Sequence, residues 1–138
     1  MSKGIIGYTT GVFDCFHTGH LEILEKAKMQ CDYLIVGVCS DALVKKLNRE
    51  TIMSFENRKR VVEAIKYVDE VIVEEDDDKI KAWENIQFNI IFKGDDWKGT
   101  SKWVSYEKFF KVKAVSVVYF PYTRNISSSK IRSKLLYE

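Results

Sequence analysis

The chain is expected to fold as a single α/β domain on a five-stranded parallel sheet with helices on both faces. Three observations predict it. Short apolar runs of strand length alternate along the chain with stretches whose apolar residues recur every three or four positions. The second run, Tyr33-Leu34-Ile35-Val36-Gly37-Val38-Cys39, is apolar almost without interruption, as expected for a strand covered on both faces. The segments richest in turn and polar chemistry follow predicted strands, and in such sheets ligands sit above the carboxyl ends of the strands.

Taken in order, Ile5 to Thr9 reads as the first strand, closed by Thr10-Gly11. Leu21, Leu24, Ala27 and Cys31 give the next stretch one apolar face, so a helix is predicted from Leu21 to Cys31, where Asp32 breaks the pattern. After the strand Tyr33 to Cys39, Ser40-Asp41 can cap a short helix reaching about Leu47. The polar connection Asn48 to Thr51 follows, and Ser54 with Asn57 starts a helix whose apolar face is Val61, Val62, Ala64 and Ile65. Glu70 to Val73 is the third strand. The acidic run Glu74 to Asp78 reads as a solvated helix start, favourable at the positive end of the dipole, rather than as a metal site. Ile80, Trp83 and Ile86 define that helix, and Asn89 to Phe92 the fourth strand. A loop from Gly94 to Gly99, a helix around Lys102 to Val112, a fifth strand from Ala114 to Phe120 and a last helix from Ser127 through Leu136 complete the chain.

Composition bounds the function. At 138 residues with 46% apolar content and one proline, residues 1–138 are expected to form one globular domain, without linker or repeat. The 22 basic and 20 acidic residues are interspersed and leave a net charge of +2, which argues against a nucleic-acid partner but leaves room for a local cluster serving a small phosphorylated ligand. Cys15, Cys31 and Cys39 lack a CxxC or zinc spacing and are expected to be free thiols in a reducing, cytoplasmic setting. No apolar stretch reaches the roughly 18 residues needed for membrane insertion.

The chemistry concentrates between Gly11 and His20. The only two histidines, His17 and His20, fall three residues apart around Gly19, at a strand-to-helix turn where unpaired N–H groups and the helix dipole favour phosphate. Ser127, Ser128 and Ser129 open the last helix and offer the same chemistry a second time, where a plain N-cap would need only one serine. Between them, the loop Gly94-Asp95-Asp96-Trp97 follows the fourth strand with two acids and an indole, which by itself suits a surface anchor against the domain.

Four segments together resemble the cytidylyltransferase family of H-x-G-H nucleotidyltransferases, and within it the glycerol-3-phosphate type: Gly11-Val12-Phe13-Asp14 leading into His17-Thr18-Gly19-His20, then Tyr67-Val68-Asp69-Glu70-Val71, Gly94-Asp95-Asp96-Trp97, and Ile126-Ser127-Ser128-Ser129. The last looks like the family's R-T-x-G-I-S-T-T signature. The resemblance covers nearly the whole chain and implies a Rossmann-like fold. It implies attack by a phosphate oxygen of a small phosphorylated alcohol, glycerol 3-phosphate in the type it most resembles, on the α-phosphorus of CTP, with Mg²⁺ accompanying the nucleotide and Asp96 and Trp97 meeting the base. His17 and His20 are then the donors to the triphosphate. Thr10, Gly11, Val12, Phe13, Asp14, Gly19, Asp95, Asp96, Trp97, Ile126, Ser127, Ser128 and Ser129 are expected around the nucleotide. Asp14 either orients the turn or helps hold Mg²⁺. Lys45 or Lys46 is expected to meet phosphate, with Arg49, Arg58 and Lys66 toward the acceptor. Where the family carries an arginine after the proline this chain has Tyr122, and Arg124 stands in for it. Two alternatives stay open: an adenylyltransferase using ATP, and a nucleotide-binding subunit without catalysis. Relatives of this type are commonly homodimers, and Trp103, Tyr106, Phe109 and Phe110 suit either an interface or the core.

Overall fold

The computed structural model describes residues 3–121 and 128–137. Along the chain it forms β1 (Ile6–Gly11), α1 (Thr18–Met29), β2 (Tyr33–Cys39), α2 (Asp41–Lys46), α3 (Phe55–Glu63), β3 (Glu70–Glu74), α4 (Lys79–Ile86), β4 (Ile90–Gly94), a single 3₁₀ turn (Asp95–Trp97), α5 (Ser101–Val112), β5 (Ser116–Phe120) and α6 (Ser128–Tyr137). The five strands pair in parallel in the order β3-β2-β1-β4-β5. The expected α/β architecture is therefore the observed one. The chain builds outward from β1 to β3, then returns to place β4 on the other side of β1. That reversal leaves a crevice at the carboxyl ends of β1 and β4, the usual ligand position in an open parallel sheet.

Strand alternation sorts the core into two layers. Leu34, Val36 and Val38 of β2 pack with Leu24 and Ala27 of α1 and Val62 of α3 on one face. Ile35, Tyr8 and Ile91 pack on the other face with Phe88 and with Trp103, Tyr106 and Phe110 of α5. Those three aromatic residues thus belong to the core and not to an exposed surface.

Element boundaries moved where pairing overrode local signals. β1 continues through Gly11 because Thr10 and Gly11 stay in register with Gly37 and Val38. α1 begins at Thr18 because His17 caps it with its own ring. The acidic run is not a solvated helix start throughout. Glu74 is 6% exposed and ion-paired with Lys79, itself 3% exposed, while Asp77 pairs with Lys79 and Lys102. Asp78 caps α4, its carboxylate accepting from the Ile80 N–H.

Arg58 is the largest departure from expectation. Rather than reaching substrate, its side chain is wholly buried in the first turn of α3. Nε donates to the Met53 carbonyl at 3.0 Å, Nη1 to the carbonyls of Val12 and Cys39 at 2.8 Å each, and Nη2 to Asp41 at 2.8 Å. One guanidinium thereby ties the loop after β1, the end of β2 and the segment before α3, a geometry a lysine's single ammonium cannot reproduce. Arg58→Ala strands three carbonyl acceptors and is expected to lower unfolding stability by about 3–5 kcal/mol. Urea denaturation of the two proteins checks this, and a loss below about 1 kcal/mol would show that the guanidinium is not the pin.

Candidate active site

The turn between β1 and α1 is built around two imidazoles that cap one helix. His17 is the N-cap, in extended backbone conformation, and its Nδ1 accepts from the Gly19 N–H at 3.0 Å. His20 answers from the third helical position, its Nδ1 accepting from the His17 N–H at 3.2 Å. This is a capping box made by histidines instead of hydroxyl and carboxylate groups. Because both Nδ1 atoms accept, each neutral ring carries its proton on Nε2. The rings stack with centroids 3.9 Å apart, and Phe13 and Phe16 pack against His20 at 5.4 and 5.2 Å. Burial, reinforced by the neighbouring His17, pushes the His20 pKa down to about 4; burial lowers that of His17 as well. At neutral pH the pair is uncharged and presents two Nε2–H donors.

The turn holds its shape through backbone strain that the surroundings enforce. Phe13 and Cys15 both sit at positive φ, 56° and 48°, an uncommon state for side-chain-bearing residues. Between them Asp14, 1% exposed, accepts from the N–H groups of Ile52 and Met53 at 3.0 and 2.9 Å and from Arg132 Nη1 at 3.0 Å. Burial alone would raise its pKa, but these donors outweigh it and hold the carboxyl below the ordinary value. The Asp14 carbonyl also accepts from the Ser128 hydroxyl, which draws the N-terminus of α6 over the turn.

The crevice is a cavity of about 290 Å³ lined by Thr10, Gly11, Val12, Phe13, Asp14, His17, Gly19 and His20 from the turn, Asp96 and Trp97 from the 3₁₀ turn, and Ser128 and Ser129 from α6. Arg49 is there too. The three loops singled out by sequence thus converge, so far as they are described; Arg124, Ile126 and Ser127 lie outside the described residues. Asp95 does not line the cavity. Lys45 lies along a neighbouring shallow groove, and Lys46 lines neither space. Lys66 is placed before β3, at the opposite, amino edge of the sheet, with its ammonium over the Tyr67 ring, so its expected role toward substrate is not supported by its position.

Sequence reasoning missed Arg132 and Lys93. Arg132 carried a signal, since it stands three and four residues after Ser129 and Ser128 and so shares their helix face; it bonds Ser129 as well as Asp14. Lys93 interrupts the apolar strand Ile90-Ile91-Phe92 and its side chain lines the cavity floor.

Mg²⁺ is expected with CTP, with Asp14 either orienting the turn or helping to hold the ion. The Asp14 oxygens are taken by Ile52, Met53 and Arg132, and among the described residues no group of three or more His, Cys, Asp or Glu is placed to hold a metal. These bonds make Asp14 the anchor of the turn, and a Mg²⁺ ion carried by a triphosphate needs no such cluster.

An open parallel sheet with a phosphate-type turn at its switch point, two neutral imidazole donors at a helix start and a second helix N-terminus facing them defines a nucleotidyltransferase site. Comparison with known proteins is more specific. A family model described as cytidylyltransferase-like matches residues 8–134. The chain is 38% identical to the glycerol-3-phosphate cytidylyltransferase of Bacillus subtilis (strain 168), over 96% of this chain and 97% of that one. It is 34% identical to the Staphylococcus aureus (strain NCTC 8325 / PS 47) enzyme of the same name, over 96% of this chain and 95% of that one. Its fold matches the crystal structure of a lipopolysaccharide core biosynthesis protein from Thermoplasma volcanium GSS1 with a TM-score of 0.74 at 26% identity, covering 89% and 99% of the two chains. The chain belongs to the cytidylyltransferase-like family and is a nucleotidyltransferase.

The imidazole pair makes stability sensitive to acid. The folded chain binds protons on His17 and His20 more weakly than the unfolded chain, whose value is near 6.5. Their contribution is therefore complete above that pH and is lost progressively as pH falls from about 6.5 toward 4. Asp14, also held below its ordinary value, loses its contribution only as pH falls below 3.8. The urea midpoint is expected to fall between pH 7 and 5 in the natural protein, and to fall distinctly less in His20→Gln, which keeps a capping acceptor without titrating. Equal slopes in the two would refute the assignment.

Proposed function

We propose that this protein transfers CMP from CTP to sn-glycerol 3-phosphate, giving a CDP-alcohol and pyrophosphate. The observation that carries it is the reciprocal histidine cap: it fixes two neutral Nε2–H donors on the cavity wall beside the N-termini of α1 and α6. Similarity to glycerol-3-phosphate cytidylyltransferases over nearly the full length of both chains supports the substrates.

An oxygen of the acceptor phosphate attacks the α-phosphorus, and the bond from that phosphorus to the bridging oxygen of the β-phosphate breaks. Charge grows on the equatorial and leaving oxygens, so the protein's task is positioning and charge stabilisation. His17 and His20 donate to those oxygens, while Ser128 and Ser129 with the N-terminus of α6 hold the outgoing phosphates. Asp96 accepts from the cytosine amino group, beside Trp97. Mg²⁺, in this proposal, arrives on the triphosphate.

His17→Asn separates chemistry from folding, because asparagine is a good N-cap but lacks the Nε2 donor. The variant is expected to lose about 10²–10³ in kcat, the usual loss for one oxyanion donor, while its CTP affinity changes by less than about tenfold, measured by pyrophosphate release and calorimetry. Absence of pyrophosphate release from the natural protein with CTP and sn-glycerol 3-phosphate would overturn the transferase assignment, and tighter binding of ATP than CTP would overturn the cytidine assignment.

We further propose that the protein acts as a homodimer in the cytoplasm. The family resemblance supports the dimer, and the three free thiols support a reducing compartment; no helix among the described residues is long and apolar enough to cross a membrane. Sedimentation equilibrium at micromolar concentration is expected to return twice the 16.1 kDa chain mass, and a single-chain mass would overturn the dimer.

A further inference from the structure

Beside the histidine cavity lies a second one, of about 200 Å³, and the two share Thr10, Gly11, Val12, Arg49, Lys93 and Trp97 as walls. Its far side is charged. Glu74 closes β3, Asp77 precedes α4, Lys79 opens α4 and Lys102 lies in the first turn of α5. Lys79 is paired with Glu74 and Asp77, and Lys102 with Asp77. Two carboxylates therefore face four cations, and the cations without a carboxylate partner among the described residues are Lys93 and Arg49. The Lys93 ammonium lies 5.0 Å from the Trp97 ring centre and 5.9 Å from that of Trp103. A half-buried ammonium paired with no carboxylate among the described residues is incompletely neutralised by the Glu74 and Asp77 charges nearby, and an anion entering either cavity completes it.

We propose that Lys93 Nζ, at the junction of the two cavities, holds the phosphate of the acceptor against the α-phosphorus of the nucleotide, and that the wall of Glu74, Asp77, Lys79 and Lys102 receives the hydroxyls of the alcohol. The proposal builds on the cytidylyltransferase assignment. In that reaction the acceptor oxygen forms the new O–P bond and pyrophosphate departs with the electron pair of the broken one. A dianionic phosphate monoester has no proton to lose in that step. What the junction requires is a cation that lets two anions approach, rather than a base. The wall offers both donors and acceptors, which suits a small polyol.

Burial, with the Lys79 ammonium adding to it, moves the Lys93 pKa down to about 8. Glu74 on β3, Asp77 and Lys79 at the start of α4, and Cys39 on β2 act on it, and Arg49 and Lys102 share its cavity. In the acceptor-free enzyme its charge is lost as pH rises through about 8, so kcat/KM for the acceptor should decline there on the alkaline side.

The test compares the natural full-length chain with K93M and K93R. Pyrophosphate release is measured with CTP and sn-glycerol 3-phosphate, and sn-glycerol 3-phosphate and inorganic phosphate are titrated calorimetrically into the CMP-loaded chain. K93M is expected to raise the acceptor KM at least about tenfold and abolish calorimetric acceptor binding, as loss of a charged contact does, while CTP affinity stays within about threefold. K93R is expected to retain acceptor binding and to lack the alkaline decline, because a guanidinium does not titrate in this range. An unchanged acceptor KM in a folded K93M overturns the proposal, as does the same alkaline decline in K93R. If the natural chain releases no pyrophosphate but binds the acceptor in a Lys93-dependent way, the transferase assignment fails and the anion site stands.

Discussion

The site depends on one buried carboxylate. Asp14 sits at the apex of a turn flanked by two residues at positive φ, with its oxygens saturated by the Ile52 and Met53 N–H groups and Arg132. A carboxylate in that position is tolerable only because it is fully hydrogen-bonded. Its partners come from two elements far apart in sequence, the segment before α3 and the helix α6. By saturating one side chain they bring those elements to the histidine turn, and the Ser128 bond to the Asp14 carbonyl adds a second tie to α6. Arg58 does the complementary work from below, joining the Val12 and Cys39 carbonyls to Met53. The turn is thus clamped by a buried anion on one side and a buried cation on the other, which is how a strained loop stays in one conformation.

That clamping has an electrostatic consequence. The phosphate-facing groups of the turn are uncharged: two imidazoles held neutral by burial in an aromatic box, and backbone N–H groups at helix starts. Such donors are oriented before substrate arrives, and a low-dielectric setting strengthens their interaction with developing charge. Formal positive charge is kept elsewhere, at Arg49 and at Lys93 on the floor. The division separates the holding of the triphosphate from the neutralisation of repulsion between two incoming anions.

Most of the architecture was legible in the sequence because parallel strands and amphipathic helices carry strong periodic signals. The run Tyr33 to Cys39 could be read as a doubly covered strand residue for residue. Helix starts at Ser40 and Ser54 followed from cap chemistry, which is local. The histidine turn and the Gly94 to Trp97 loop were legible because unusual residues cluster at strand ends. Charged side chains were the poorest guide. Arg58, Lys66, Lys45 and Lys46 looked alike as basic residues near predicted loops, yet one is a buried pin, one lies on the opposite edge of the sheet, one lies along a side groove, and one lines neither space. The acidic run misled in the same way, since Glu74 and Lys79 form a buried pair.

The sequence by itself determined the order of elements, the parallel sheet and the identity of the turn that carries the chemistry. Each of these follows from contacts between residues close together in the chain or from the repeat of apolar side chains along it. Only the tertiary structure decided what the ionisable groups do: that Asp14 anchors the turn, that His17 and His20 are neutral with Nδ1 turned inward, and that Lys93 stands between two cavities with no carboxylate partner among the described residues. The reason is physical. The state of an ionisable group is set by its burial and by partners tens of residues away, and neither is written in its neighbours along the chain.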